Sequence, residues 1–151
     1  MEKNHKFKPL AALSAFLGGG LGLHRFYLYG ARDWLAWLHL AGGLLFAAGV
    51  LTLERNELAS AAGWSLAVPG SAAVLSGFIT ALVYGLRPDE RWDAQFNAAS
   101  GRKTQSGWGT VIILILALMI GTGLLMTGLA IAFEQFFQAQ IEEAHKYSRA
   151  E

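Results

Sequence analysis

The sequence predicts an all-α polytopic integral membrane protein, with four transmembrane helices packed as a small bundle and a short interfacial helix in the third connection. Two observations carry that expectation. Hydrophobic residues make up 54% of the 151-residue chain and charged residues only 15%, against about 25% charged in a typical soluble domain. The charge is also excluded from long blocks, and a block of roughly 20 apolar residues matches the ~30 Å hydrocarbon core of a bilayer.

The first block runs from Pro9 to Leu23, is short and is rich in glycine. Its length suits a signal-peptide core, but no small-residue cleavage site follows it, so it is read as a retained, short or tilted span. The second block runs from Trp34 to Leu53, the third from Trp64 to Leu86 and the fourth from Trp108 to Phe133; none of these three contains Asp, Glu, Lys or Arg. Residues 1–53 therefore form a two-transmembrane module with a glycine-rich first helix and a His24-Arg25-Phe26-Tyr27 turn. Residues 54–151 form a second transmembrane hairpin with an interfacial segment at 88–99 and an extended C-terminal helix.

The connections follow from charge and turn chemistry. Residues 24–33 are polar, and Tyr27, Tyr29, Trp34 and Trp37 around them suit the headgroup level. In the third connection, Arg87-Pro88-Asp89 reads as a helix stop followed by a new start, with Asp89 placed to cap it. Trp92 and Phe96 then share one face of an amphipathic interfacial helix. Past Phe133 the helical pattern continues to Glu143, which carries the last helix beyond the bilayer. Four spans put both termini on one side of the membrane. The Lys and Arg residues then divide six against six, so the rule that positive loops face the cytoplasm leaves orientation open.

Helices in lipid associate where small residues allow close approach. Gly18 stands between Ser14 and Gly22 on one such stripe; Gly77 and Gly85 lie on a second with Ala73 and Ala81; Gly121 and Gly128 lie on a third. These stripes predict helix packing within the bundle, or a homo-oligomer that turns one of them outward.

Little in the chain points to chemistry. A net charge of +1 offers no field for nucleic acid. The absence of cysteine excludes a disulfide framework, a thiolate metal site and a cysteine nucleophile. No catalytic or phosphate-binding motif is present, and no cofactor or metal site is expected. Two polar positions stand out. Arg25, beside His24, is placed either to bind a lipid phosphate or a partner carboxylate, or to anchor the turn at the headgroups. His39 lies inside the second span, where a histidine serves as a proton relay or ligand, or simply bonds a neighbouring carbonyl. His24 and His39 do not have a metal-ligand spacing in sequence. His5 and His145 lie in the tails.

The stretch Gly18–Gly30 resembles a known family. A glycine-rich helix, then Gly-x-(Asp or His)-Arg-Phe-Tyr-Leu-x-Gly, then a second helix, is similar to the TM-two domain in its bacterial form. Gly19, Gly22, His24, Arg25, Phe26, Tyr27, Leu28 and Gly30 carry the likeness, which covers residues 8–53; Tyr29 is an insertion relative to the usual spacing. The resemblance implies an integral membrane protein without an established biochemical activity. The expected function is accordingly non-enzymatic: a multi-pass protein of the bacterial inner (plasma) membrane that interacts with membrane lipids, other membrane proteins or itself. The alternative is a small oligomeric transporter or channel subunit, which requires a polar path from His39 to Thr80, Thr122 or Thr127. An enzyme acting on lipid would need two or more carboxylates converging with His24 or Arg25.

Overall fold

The protein is represented by a computed structural model, which describes residues 5–150; Lys3 of the basic N-terminal tail lies outside the described residues. Six α-helices follow in order: α1 (Lys8–Gly18), α2 (Leu23–Tyr29), α3 (Trp34–Arg55), α4 (Ala61–Leu86), α5 (Asp89–Phe96) and α6 (Trp108–Ala150), with a 3₁₀ turn at Gly19–Leu21 between α1 and α2. Three of them, α3, α4 and α6, are long and apolar enough to cross a membrane.

The block expected to form the first span departs from a continuous helix. α1 has 11 residues, which is about 16 Å and half of a hydrocarbon core. It ends because consecutive glycines weaken the helix and Gly22 takes a left-handed backbone, φ +74, from which a right-handed helix cannot continue. The chain then folds back. Lys6 Nζ donates to the Tyr27 carbonyl at 2.7 Å, and the Phe7 backbone N–H donates to the Tyr27 hydroxyl at 2.9 Å. The start of α1 and the end of α2 therefore lie side by side. Residues 24–29, expected within a turn, are helical, and the polar turn shrinks to residues 30–33.

The tip of this hairpin lies deep in the bundle. A Cβ on Gly19 would stand 2.4 Å from the Gly77 Cα, and one on Gly43 would stand 2.5 Å from the Gly20 carbonyl oxygen. Gly43 and Gly77 lie in the interiors of α3 and α4. Residues 8–29 thus make a re-entrant helical hairpin that reaches about the middle of its neighbours.

Small residues set the packing, only partly as expected. Gly77 meets the hairpin tip, Gly85 meets Leu114, Gly121 meets Phe78, and Gly18 meets Leu23 of its own hairpin. Gly128 has no neighbour within 4 Å, because the hairpin stops level with Gly77 and no fourth helix continues beside α6. The closest pairing instead joins α3 to α4, where Gly49 faces Ala67, Gly42 faces Ala73 and Gly70 faces the Phe46 backbone. Alanines fill the junction of α1, α4 and α6: Ala11, Ala12, Ala15, Ala81 and Ala117 are fully buried.

Leu114 opposite Gly85 and Gly121 opposite Phe78 make α6 antiparallel to α4. Lys8 lies beside Arg87 at the end of α4. The N-terminal segment and the C-terminal end of α6 therefore lie at opposite ends of the bundle. The interfacial segment forms α5 as expected, but Asp89 is its first residue rather than its cap. Trp92 is not lipid-facing: it is fully buried, donates from Nε1 to the Lys6 carbonyl at 2.9 Å and packs against Tyr84 and Phe96.

Candidate functional site

The family-like motif builds the hairpin and the clasp that holds it. α2 runs between two glycines with left-handed φ, Gly22 at +74 and Gly30 at +80. Gly30 has open space around it, so glycine is needed there for the backbone alone. The register of α2 turns His24 inward and Arg25 outward. Arg25 Nε donates to Asp33 Oδ2 at 2.6 Å, and its guanidinium lies 5.1 Å from the Tyr29 ring centroid. Asp33 Oδ1 accepts from the Leu35 N–H at 3.2 Å and so caps α3. One carboxylate thus ties α2 to the start of α3. The hydrogen bond from Arg25 holds the Asp33 carboxyl below its usual range. Phe26 packs edge-on against Trp37 with ring centroids 5.3 Å apart, and the Lys6 ammonium stands 4.9 Å from the Tyr27 ring.

Arg25 is therefore engaged within the protein. Arg25→Ala is expected to lower the steady-state level in the membrane, because it frees the α3 cap and the end of the hairpin together. Quantitative immunoblotting of isolated membranes checks this, and wild-type abundance would remove any special role for the clasp.

Behind the clasp lies a buried polar cluster that the sequence spacing did not announce. His24 is 1% exposed, and its Nδ1 is buried without a hydrogen-bond partner among the described residues. Its ring centroid lies 5.5 Å from that of His39 and 5.9 Å from that of Tyr84. His39 is oriented on both sides: Nδ1 lies 2.8 Å from the Leu35 carbonyl and Nε2 lies 3.1 Å from Ser76 Oγ. A carbonyl only accepts, so Nδ1 carries a proton, while the Ser76 hydroxyl beside Nε2 also donates to the Ala73 carbonyl at 2.8 Å. Three elements thus bring together two histidines that lie 15 positions apart in the chain. The nearest signal in the sequence is Gly22, which lets α2 approach α3: a Cβ there would stand 2.6 Å from the Ala36 carbonyl oxygen.

Above this cluster, a groove of about 230 Å³ runs along the hairpin tip, between Phe16, Gly20, Gly43, Val74 and Phe78. Thr122 and Thr127, to which a polar path from His39 would have to lead, are exposed on α6. Among the described residues no three His, Asp or Glu side chains gather to hold a metal.

The end of the molecule that carries the clasp is also densely charged. Lys8 is 3% exposed and donates to Asp89 Oδ1 at 2.7 Å and to the Arg87 carbonyl at 2.6 Å. Asp93 accepts from the Thr104 backbone N–H at 2.7 Å and from Asn97 Nδ2 at 2.8 Å, and Asn97 Oδ1 accepts from the Lys6 N–H at 2.7 Å. Asp89 and Asn97 thus fasten the N-terminal segment to α5, while Asp93 holds Asn97 and the loop at Thr104. Among the described residues, eight cations stand at this end, Lys6, Lys8, Arg25, Arg32, Arg87, Arg91, Arg102 and Lys103, against Arg55, Lys146 and Arg149 at the other. Arg32, Arg91, Arg102 and Lys103 are exposed and form no ion pair among the described residues.

Comparison with known proteins finds no matching family model, no matching curated protein and no matching solved structure.

Proposed function

We propose that this is a non-enzymatic membrane protein of the TM-two domain type, which crosses the bilayer three times and interacts with anionic lipids or membrane proteins through its cationic end. The observation that carries this is the division of charge, eight cations against three. With four spans these eleven residues would divide five against six; a re-entrant first hairpin puts Lys6 and Lys8, the 30–33 turn and the 87–107 connection on one side. By the positive-inside rule that side is cytoplasmic, and the end of α6 lies outside. In a bacterial inner membrane the exposed arginines and lysine would meet anionic headgroups, each attracted by about 1 kcal/mol. The residues that carry the resemblance each have a structural role in this chain. Gly19, Gly22 and Gly30 shape the hairpin, and Arg25, Phe26 and Tyr27 fasten it.

Cysteine accessibility tests the topology cleanly, because the chain has no native cysteine. Ser100→Cys is expected to react with a membrane-impermeant maleimide from the cytoplasmic side and Glu143→Cys from the opposite side. Labelling of both from one side would overturn three crossings and with them the division of charge.

The alternative, a small oligomeric transporter or channel subunit, is favoured by one feature. Irregular backbone at membrane depth is tolerated where protein or a water-filled cavity covers it, and the glycine tip of the hairpin lies at such a depth. Ion flux through proteoliposomes of the purified protein would favour that alternative over the binding function.

A further inference from the structure

We propose that His24 is a proton-binding site that governs whether the re-entrant hairpin stays seated in the bundle. The imidazole is 1% exposed and its buried Nδ1 has no acceptor among the described residues. Every element around it is poorly suited to a second proton. α1 contributes no titratable group between Pro9 and Gly18. α3 contributes His39, already held between the Leu35 carbonyl and Ser76, and α4 contributes the edge-on ring of Tyr84. On its own helix the neighbour is the cation Arg25, and the nearest carboxylate, Asp33, is engaged by that arginine and by the α3 cap. A charge placed there is buried, unpaired and beside another cation, which is costly away from water.

The fold supplies a way to relieve that charge. α2 has seven residues and hangs between Gly22 and Gly30, both of which have left-handed φ. Glycine at both ends lets the backbone rotate without a steric penalty. Once its contacts with Lys6, Phe7 and Asp33 part, α2 can thus swing His24 towards the headgroups while α3, α4 and α6 stay in place. Leaving its seat uncovers the α3 surface at Ala36, which is fully buried beneath Gly22.

The full chain in lipid nanodiscs provides the test. A single cysteine in place of Ala36 reports the seat, and one in place of the exposed Ala94 on α5 reports intrinsic thiol reactivity at the same pH. The ratio of their labelling rates is expected to rise as the pH falls from about 7.5 to about 5.5, the range in which histidine titrates, by up to about tenfold per unit for one proton. In His24→Gln and His24→Phe, which do not titrate, the ratio stays flat; two variants are used because the phenyl ring keeps the packing and the amide keeps the polarity. His39→Gln keeps the rise. A flat ratio in the parent, a rise that survives in whichever His24 variant folds, or a rise lost only in His39→Gln would overturn the proposal.

Discussion

Gly22→Ala is expected to destabilise the protein by roughly 3 kcal/mol, while Gly128→Ala is expected to leave it unchanged or slightly more stable. At Gly22 two costs act together. An L-residue in the left-handed region costs about 1–2 kcal/mol, and forced overpacking costs about 1–3 kcal/mol. The new Cβ would stand 2.6 Å from the Ala36 carbonyl oxygen and 3.0 Å from the His39 Cβ, and backbone cannot yield as a side-chain tip can. At Gly128 nothing lies within 4 Å, and alanine exceeds glycine in helix propensity by up to about 1 kcal/mol. Thermal unfolding of the two variants in the same detergent compares them directly. Equal stabilities would mean that the hairpin is not seated against α3.

Asp89→Asn should cost about 3 kcal/mol, more than Lys8→Met. Removing one partner of a buried ion pair leaves the other charge unpaired, at a cost of about 3–5 kcal/mol. The lower end applies because Asp89 keeps 24% of its side-chain exposure while Lys8 keeps 3%. The asymmetry in burial fixes the order of the two variants: the lysine stranded by Asp89→Asn is buried, whereas the aspartate stranded by Lys8→Met still reaches water and Ser106. The double variant should recover part of the loss, since it buries no lone charge. Equal losses for both single variants, with no recovery in the double, would show that the pair does not act as a unit.

The same pair gives a pH dependence of defined sign. Burial pushes the Asp89 carboxyl up, but hydrogen bonds from Lys8 and from Ser106 outweigh it and hold the group below its usual range. A carboxyl lowered in the folded state contributes stability that is fully present above its unfolded value, near 3.9, and is lost as pH falls through the lower folded value. Acid unfolding that begins well above that window would not come from Asp89. The loss of seating proposed for His24 lies nearer neutrality, so the two transitions are separable in one titration.

How much of this was legible in the chain varies by element. The blocks at 34–53, 64–86 and 108–133 were readable because apolarity over 20 residues is a local sum, and α3, α4 and α6 cover them. The amphipathic start after Pro88 was readable for the same reason, and α5 begins there. The partners of its polar stripe were not, because Asp89, Asp93 and Asn97 look alike whether they face water or a lysine from the other end of the sequence. The interior pair His24 and His39 was hidden in a related way. Each is an isolated polar residue on an apolar background, and only the backward fold of α2 sets one ring beside the other.

The glycines draw the boundary most clearly. Gly18, Gly19, Gly20 and Gly22 announced close packing in the membrane, and composition alone was enough for that, since a side chain that is absent cannot keep two backbones apart. Whether that run continued as a fourth span or turned back depended on the backbone angle at Gly22, on the space opposite Gly77 and Gly43, and on the grip of Tyr27 on the N-terminal segment. Glycine permits both courses at nearly equal local cost. Long-range contacts chose the return, and with it the end of the bundle at which Lys6 and Lys8 stand.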